Sequence, residues 1–271
     1  MSASYFLSPH VHLCVAGKQV VLLDLERDKY LAVAHAHPVG QWVRGWPPVP
    51  SPDPAADFTT VESGELAKPD TPVIAGVIGG PDVSAPNSQA AAVPGAENRL
   101  LARMIAQRLL VTDPNLGKEA APIIADKAKV ALVEPELHAR PQATVGHFWR
   151  LTRAYTAAKW SLKRYPIKAV VEGVRLRKKR SSVAPALEID TVRSLVAAFI
   201  YLRPLLYTAH NACLLDSLTL TRFLASYGVF PDWIFGVKTD PFYAHCWVQQ
   251  GEHVFNDSPD HVGEFAPLLV V

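Results

Sequence analysis

Cys213-Leu214-Leu215-Asp216-Ser217-Leu218, Ala244-His245-Cys246-Trp247-Val248-Gln249 and Asn256-Asp257 make up the stretch whose pattern sets the fold class. Leu214, Leu215, Leu218 and Leu224 recur at helical spacing, which predicts a helix from Asn211 that stops at Gly228. Three β-favouring runs follow: Trp233 to Val237, Ala244 to Gln249 and His253 to Asn256. Gln250-Gly251-Glu252 reads as the hairpin turn between the last two. One helix feeding an antiparallel sheet is an α+β pattern.

Upstream, Phe148, Leu151, Tyr155, Ala158 and Leu162 form a helical stripe that Pro166 ends. A further helix is expected from Thr191 to Arg203, capped by Asp190. Leu100, Leu101, Met104, Ile105 and Leu109 predict an amphipathic helix from Glu97 to Leu110, terminated by Asp113-Pro114. Before it, residues 47–95 are rich in Pro, Ser, Ala, Asp and Gly. Such a composition buries too little apolar area to offset chain ordering, so a disordered insertion is expected there. Residues 9–46 contain three short strands, Val11 to Val15, Val20 to Leu25 and Tyr30 to Val33. A helix from His37 to Arg44 is expected to end before Gly45 and Pro47-Pro48. A three-stranded meander cannot stand alone and needs helices on one face. The expected division is therefore an N-terminal unit, 1–115, and a C-terminal unit, 116–271.

The 271 residues are 49% hydrophobic and 19% charged, a globular composition with a net charge of +2. The most apolar run, Leu195 to Leu206, is interrupted by Arg203 and Pro204, which argues against a membrane span. No basic cluster precedes Tyr5-Phe6-Leu7, so a secretory signal is not expected. Three cysteines do not make a disulfide framework, and a cytoplasmic protein is expected. Residues 1–115 carry a net charge of −3 and the remainder +5, much of it in Arg175, Arg177, Lys178, Lys179 and Arg180. A solvated loop or helix end is the simplest account of that run. No aromatic residue is interleaved in it, so nucleic acid is not expected as a partner.

Cys213 falls near the start of its helix, where aligned N–H groups favour a thiolate, the nucleophilic form. Position alone favours an inert core cysteine. His245 follows 32 residues later on a strand and Asp257 another 12 on. A hairpin would bring the carboxylate beside the imidazole to hold its tautomer. Taken singly, His245 also reads as a satisfied strand histidine and Asn256-Asp257-Ser258-Pro259 as a turn. Alternation along the strand predicts that Cys246 faces away from Cys213 and is structural. A zinc site from His210, Cys213, His245 and Cys246 is disfavoured, because adjacent strand residues converge poorly on one ion. There is no Walker loop, and Ser217 lacks the glycines of a nucleophile elbow.

With Gly236-Val237, Pro241-Phe242 and the terminal Glu264-Phe265-Ala266-Pro267-Leu268-Leu269-Val270-Val271, these motifs resemble the B proteins of lasso-peptide biosynthesis. Those are leader peptidases with a transglutaminase-like, papain-related cysteine-protease fold. The resemblance covers the C-terminal half and is densest from Cys213 onward. It implies Cys213 as nucleophile, His245 as general base and acid, and Asp257 as the orienting carboxylate. It also implies an ATP requirement for maturation, although no residue here places an ATP site. The partners it implies are a precursor leader peptide, an asparagine-synthetase-like lasso cyclase and an association with a membrane exporter.

Val21-Leu22-Leu23-Asp24-Leu25, Tyr30-Leu31-Ala32 and Gly40-Gln41-Trp42 are similar to small leader-recognition domains related to the coenzyme PQQ synthesis protein D. That resemblance implies a winged-helix-like domain of three strands and three helices that takes the leader as an added strand. The peptide-binding residues it implies are Leu25, Tyr30, Leu31, Val33, Leu101 and Ile105. The chain as a whole then reads as a fused recognition domain and peptidase. Two other readings remain open at this point: a transglutaminase-like acyltransferase using the same three residues, and a non-catalytic adaptor that delivers precursor to the cyclase.

Overall fold

A computed structural model of the protein describes residues 4–48, 96–133, 143–181, 188–208 and 212–271. The expected proline-rich insertion lies almost entirely outside the described residues, as do His210 and Asn211.

The chain opens with β1 (Phe6–Leu7) and a meander of β2 (Val11–Ala16), β3 (Gln19–Asp24) and β4 (Lys29–Ala34), antiparallel in the order β2-β3-β4. Gly17, at φ 56°, makes the β2–β3 turn that L side chains resist. The expected helix over His37 to Arg44 is instead a 3-10 turn, Pro38–Trp42. Pro38 suits a first turn, and the His37 ring accepts from the Val39 N–H. Val43 then returns to an extended conformation, so no α-helix propagates.

Helix α1 spans Ala96–Ala106 and is shorter than expected. Arg108 adopts φ 56°, and the Leu109 N–H turns back to the Met104 carbonyl. Leu110 is thereby free to pair with Leu7 in the ladder of β1 with β5 (Leu110–Val111). Tertiary pairing overrides the helical periodicity at that end. The winged-helix arrangement with three helices is not shown: among the described residues, α1 and the 3-10 turn are what accompanies this sheet.

Strand alternation gives the meander two buried faces. Val11, Leu13, Val20, Leu22, Leu31 and Val33 pack with Leu101 and Met104 of α1. Cys14, Ala16, Val21, Leu23 and Leu25 point the other way, into the main core shared with the C-terminal part. The near-unbroken apolar strings of β2 and β3 are therefore those of strands covered on both faces, and not of a sheet with a wet side.

After β6 (Val130–Ala131) come α2 (Val145–Arg164), α3 (Ile167–Ser181) and α4 (Ile189–Leu202). Thr144 and His147 form a reciprocal capping box at the start of α2, and extended Tyr165 before Pro166 closes it. The basic run lies along the last turns of α3, where cations complement the helix dipole. Asp190 is not the cap of α4, contrary to expectation. Glu188 holds that position, and Asp190 sits in the first turn paired with Arg193.

Helix α5 (Cys213–Ala225) ends before Gly228, at φ 81°. It packs against a five-stranded sheet ordered β10-β7-β8-β9-β6. Here β7 is Asp232–Thr239, β8 Phe242–Gln250, β9 His253–Val254 and β10 Ala266–Val270, with the short α6 (Pro259–Gly263) before β10. The sheet is mixed, because β6 joins β9 in parallel. The last residues, read from sequence without a strand assignment, pair with β7.

Candidate active site

Cys213 is the first residue of α5, and its neighbour Ala212 has non-helical dihedrals and makes no side-chain cap. The first-turn N–H groups are thus left for a charge at the Cys213 sulfur or at a substrate oxyanion. The opposite wall is β8. His245 Nε2 donates to Asp257 Oδ2 at 2.5 Å, and the ring also neighbours Cys213, which favours its charged form. Asp257 stands in the loop after β9, beyond the hairpin, and also accepts from Ser258 N–H at 2.8 Å and His261 Nδ1 at 2.9 Å. The structure therefore brings together Cys213, His245 and Asp257.

The charges are arranged for a thiolate–imidazolium pair. A hydrogen bond from Cys246 and then those from His245, with its positive charge, outweigh burial and bring the Cys213 thiol down to about 4. Burial works against the His245 cation, but Asp257 and the Cys213 thiolate raise it to about 9. Burial likewise opposes ionisation of Asp257, and the two histidines still hold it below the usual carboxylate range. Each shift stabilises the charged form of its partner.

Cys246 corrects the expectation from alternation. His245 does face Trp247 and Phe265, with ring centroids at 6.1 and 5.1 Å, while Cys246 is buried beneath α5. Because Cys213 stands at the very start of α5, its sulfur meets both residues. Cys246 Sγ also lies 3.3 Å from Ser217 Oγ, which donates to the Cys213 carbonyl and accepts from the Trp233 indole N–H at 2.8 Å. Buried Cys246 is pushed well above the usual thiol range by desolvation, so it remains a neutral donor.

Two further supports escaped sequence analysis. Asp216, 3% exposed, accepts from Arg203 at 3.0 Å, Tyr207 at 2.9 Å and Asn256 at 3.0 Å. It thereby ties α5 to the loop that carries Asp257. His261 is the second histidine on Asp257, and its spacing i, i+4 behind the Ser258 cap is a local signal for that contact. Donor atoms of His245, Asp257 and His261 lie within 4.8 Å of one another, the one group among the described residues with metal-like spacing. Both histidines already spend that carboxylate on hydrogen bonds. The zinc set considered from sequence includes His210, outside the described residues.

The six implied peptide-binding residues divide between the two faces of the meander and α1. Leu31, Val33 and Leu101 pack between sheet and helix, and Ile105 is 38% exposed at the α1 surface. Leu25 is 3% exposed in the main core and leaves essentially no side-chain surface for a peptide. Tyr30 points toward the catalytic side, edge-on to Phe242 with centroids 5.5 Å apart. Its phenol is raised, chiefly by burial and also by the neighbouring Asp28, Cys246 and Cys213. β4 is an outer strand of its sheet, with no further partner among the described residues.

A cysteine at a helix start, a histidine on the facing strand and an aspartate from the loop beyond it are an arrangement suited to thiol nucleophilic chemistry. Residues 151–270 match the family model described as the transglutaminase-like superfamily, and that stretch is a transglutaminase-like domain. A segment of 48 residues is 44% identical to the microcin J25-processing protein McjB of Escherichia coli, covering 18% of this chain and 23% of that protein. No solved structure matches. No helix among the described residues is long and apolar enough to cross a membrane.

Proposed function

We propose that the protein is a cysteine peptidase of lasso-peptide maturation that hydrolyses the bond between leader and core. The observation that supports this most is the Cys213–His245–Asp257 arrangement at the start of α5. The transglutaminase-like domain and the likeness to a processing protein agree with it. The Cys213 thiolate attacks the scissile carbonyl, and an α5 N–H takes up the developing oxyanion charge. His245 protonates the departing core amine, leaving a thioester, and then activates the water that frees the leader. The released amine is the group that a partner cyclase joins to a side-chain carboxylate, the step for which ATP is required in this reading.

The leader is held as a strand added to β4, with its side chains against Ile105 and Leu101 of α1. Main-chain pairing supplies affinity and the apolar positions beside it supply selectivity. Tyr30, on that same strand, packs its ring against Phe242 and lies within electrostatic range of Cys213, which favours delivery of the junction from one to the other.

Purified protein incubated with its precursor, with and without cyclase and ATP, tests the proposal by mass spectrometry. Free leader from the wild type and none from Cys213→Ala is expected. Equal release from both removes Cys213 as the nucleophile. An isopeptide-linked product instead of free leader would establish an acyltransferase, and unchanged maturation with Cys213→Ala an adaptor.

A further inference from the structure

The hairpin of α2 and α3 carries eleven lysines and arginines and one carboxylate, Glu172. Glu172 interacts with Lys168 and Arg175, leaving the other cations of the hairpin to find compensation elsewhere. Between this hairpin and the end of α5 lies a cleft of about 550 Å³, which Arg150, Arg153, Arg177 and Arg222 line without any acidic residue. It shares Ala157, Arg177 and Arg222 with an apolar pocket of about 250 Å³ walled by Trp160 and Tyr165. Among the described residues no salt bridge involves any of the four arginines.

Arg222 carries the site. Among the described residues its guanidinium gives one hydrogen bond, to Ser161 Oγ at 3.1 Å, and its buried Nε has no partner. Burial and then the like charge of Arg177 disfavour its cation. A half-buried guanidinium facing another cation is costly unless an anion compensates both. Arg150 is anchored at the rim by the Ser226 carbonyl at 2.6 Å and the Tyr227 ring, and no other group among the described residues takes up its remaining N–H groups. Four rigid planar forks with no carboxylate among them outnumber what one carboxylate can neutralise, and they match tetrahedral oxyanions bidentately.

We infer that this cleft is a binding site for an oligophosphate, held by Arg150, Arg153, Arg177 and Arg222. The face lies away from Cys213 and is independent of the peptidase chemistry. Phosphate oxygens occupy the four-arginine cleft, one of them accepting from Arg222 Nε. The apolar pocket beside it bounds the site on the Trp160 side.

Isothermal titration calorimetry of the full chain with inorganic triphosphate tests this. One saturable site is expected, with affinity falling steeply as salt rises. Arg153→Gln and Arg177→Gln each weaken binding by roughly tenfold, as for loss of one charge-assisted pair. Both residues are exposed, so folding is retained, and Arg222→Gln should abolish binding while keeping its circular dichroism spectrum. Lys163→Gln, on α2 outside the cleft, should leave affinity within about twofold, as expected for a remote exposed charge. No saturable binding, or equal losses for Lys163→Gln and Arg177→Gln, would overturn the site. Tighter binding of hexaglutamate, or affinity confined to vesicles of phosphatidylglycerol, would overturn the ligand class.

Discussion

Asp257→Asn isolates the charge that poises His245. The asparagine keeps an acceptor for the Nε2 proton and nearly the same shape, so the ring should stay in place. What disappears is one negative charge beside a ring that is 10% exposed, in a pair whose carboxylate is 17% exposed. Unit charges about 4 Å apart interact by about 4 kcal/mol at an effective dielectric of about 20. Desolvation of both partners leaves a net value nearer about 1.5–3 kcal/mol, as for hydrogen bonds to charged groups. At about 1.4 kcal/mol per pKa unit, that is a fall of about 1 to 2 units. The raised His245 value of about 9 should therefore drop into the range of about 7 to 8. Nitrogen-15 NMR titration of labelled histidine reads this directly, with the His245 signal assigned by its loss in His245→Gln. A midpoint that stays near 9 would refute the role given to the Asp257 charge.

Other outcomes follow from the same geometry. For a thiolate near 4 and an imidazolium near 9, kcat/KM for leader cleavage should rise through the lower value and fall through the higher. Below the first the nucleophile is protonated, and above the second the acid for the leaving amine is gone. A pH–rate profile centred on an unperturbed thiol would contradict the ion pair. Asp216→Ala leaves Arg203 facing a buried gap and cuts the link to Asn256, so it should cost about 3–5 kcal/mol in chemical denaturation. A loss below about 1 kcal/mol would show the network to be incidental. Gly236 pairs with His245 across the β7–β8 ladder, and a Cβ there would lie 2.8 Å from Trp247 and 2.9 Å from Phe265. Gly236→Ala should therefore destabilise by about 1–3 kcal/mol through overpacking, measured as a lower Tm.

Legibility in the sequence followed the range of the interactions. Helix α5 and strands β7 and β8 are announced by local patterns, the leucine spacing after Cys213 and the β-branched and aromatic runs near Trp233 and Trp247. Local turn chemistry likewise marks Gly17, Gly228 and Gly251. The C-terminal end of α1 and the 3-10 turn at Pro38 depart from the local pattern because long-range pairing, Leu110 with Leu7 and Tyr5 with Val43, decides them. Strand parity puts His245 on the face opposite Cys246, and the structure agrees: His245 stacks with Trp247 while Cys246 is buried against Ser217. Parity could not show that a residue at a helix tip touches both faces of β8, so the Cys246 contact was missed. The links of Asp216 to Arg203 and Asn256 join segments 13 and 40 residues apart, and no local pattern encodes them.

In this mechanism Cys213 carries the leader as a thioester. Acid quenching of wild-type protein during turnover of its precursor, followed by proteolysis and mass spectrometry, measures this most directly. The peptide containing Cys213 should gain the mass of the leader less water, and hydroxylamine should remove the adduct. Leader release at the full rate with Cys213 unmodified at every time point would contradict the mechanism.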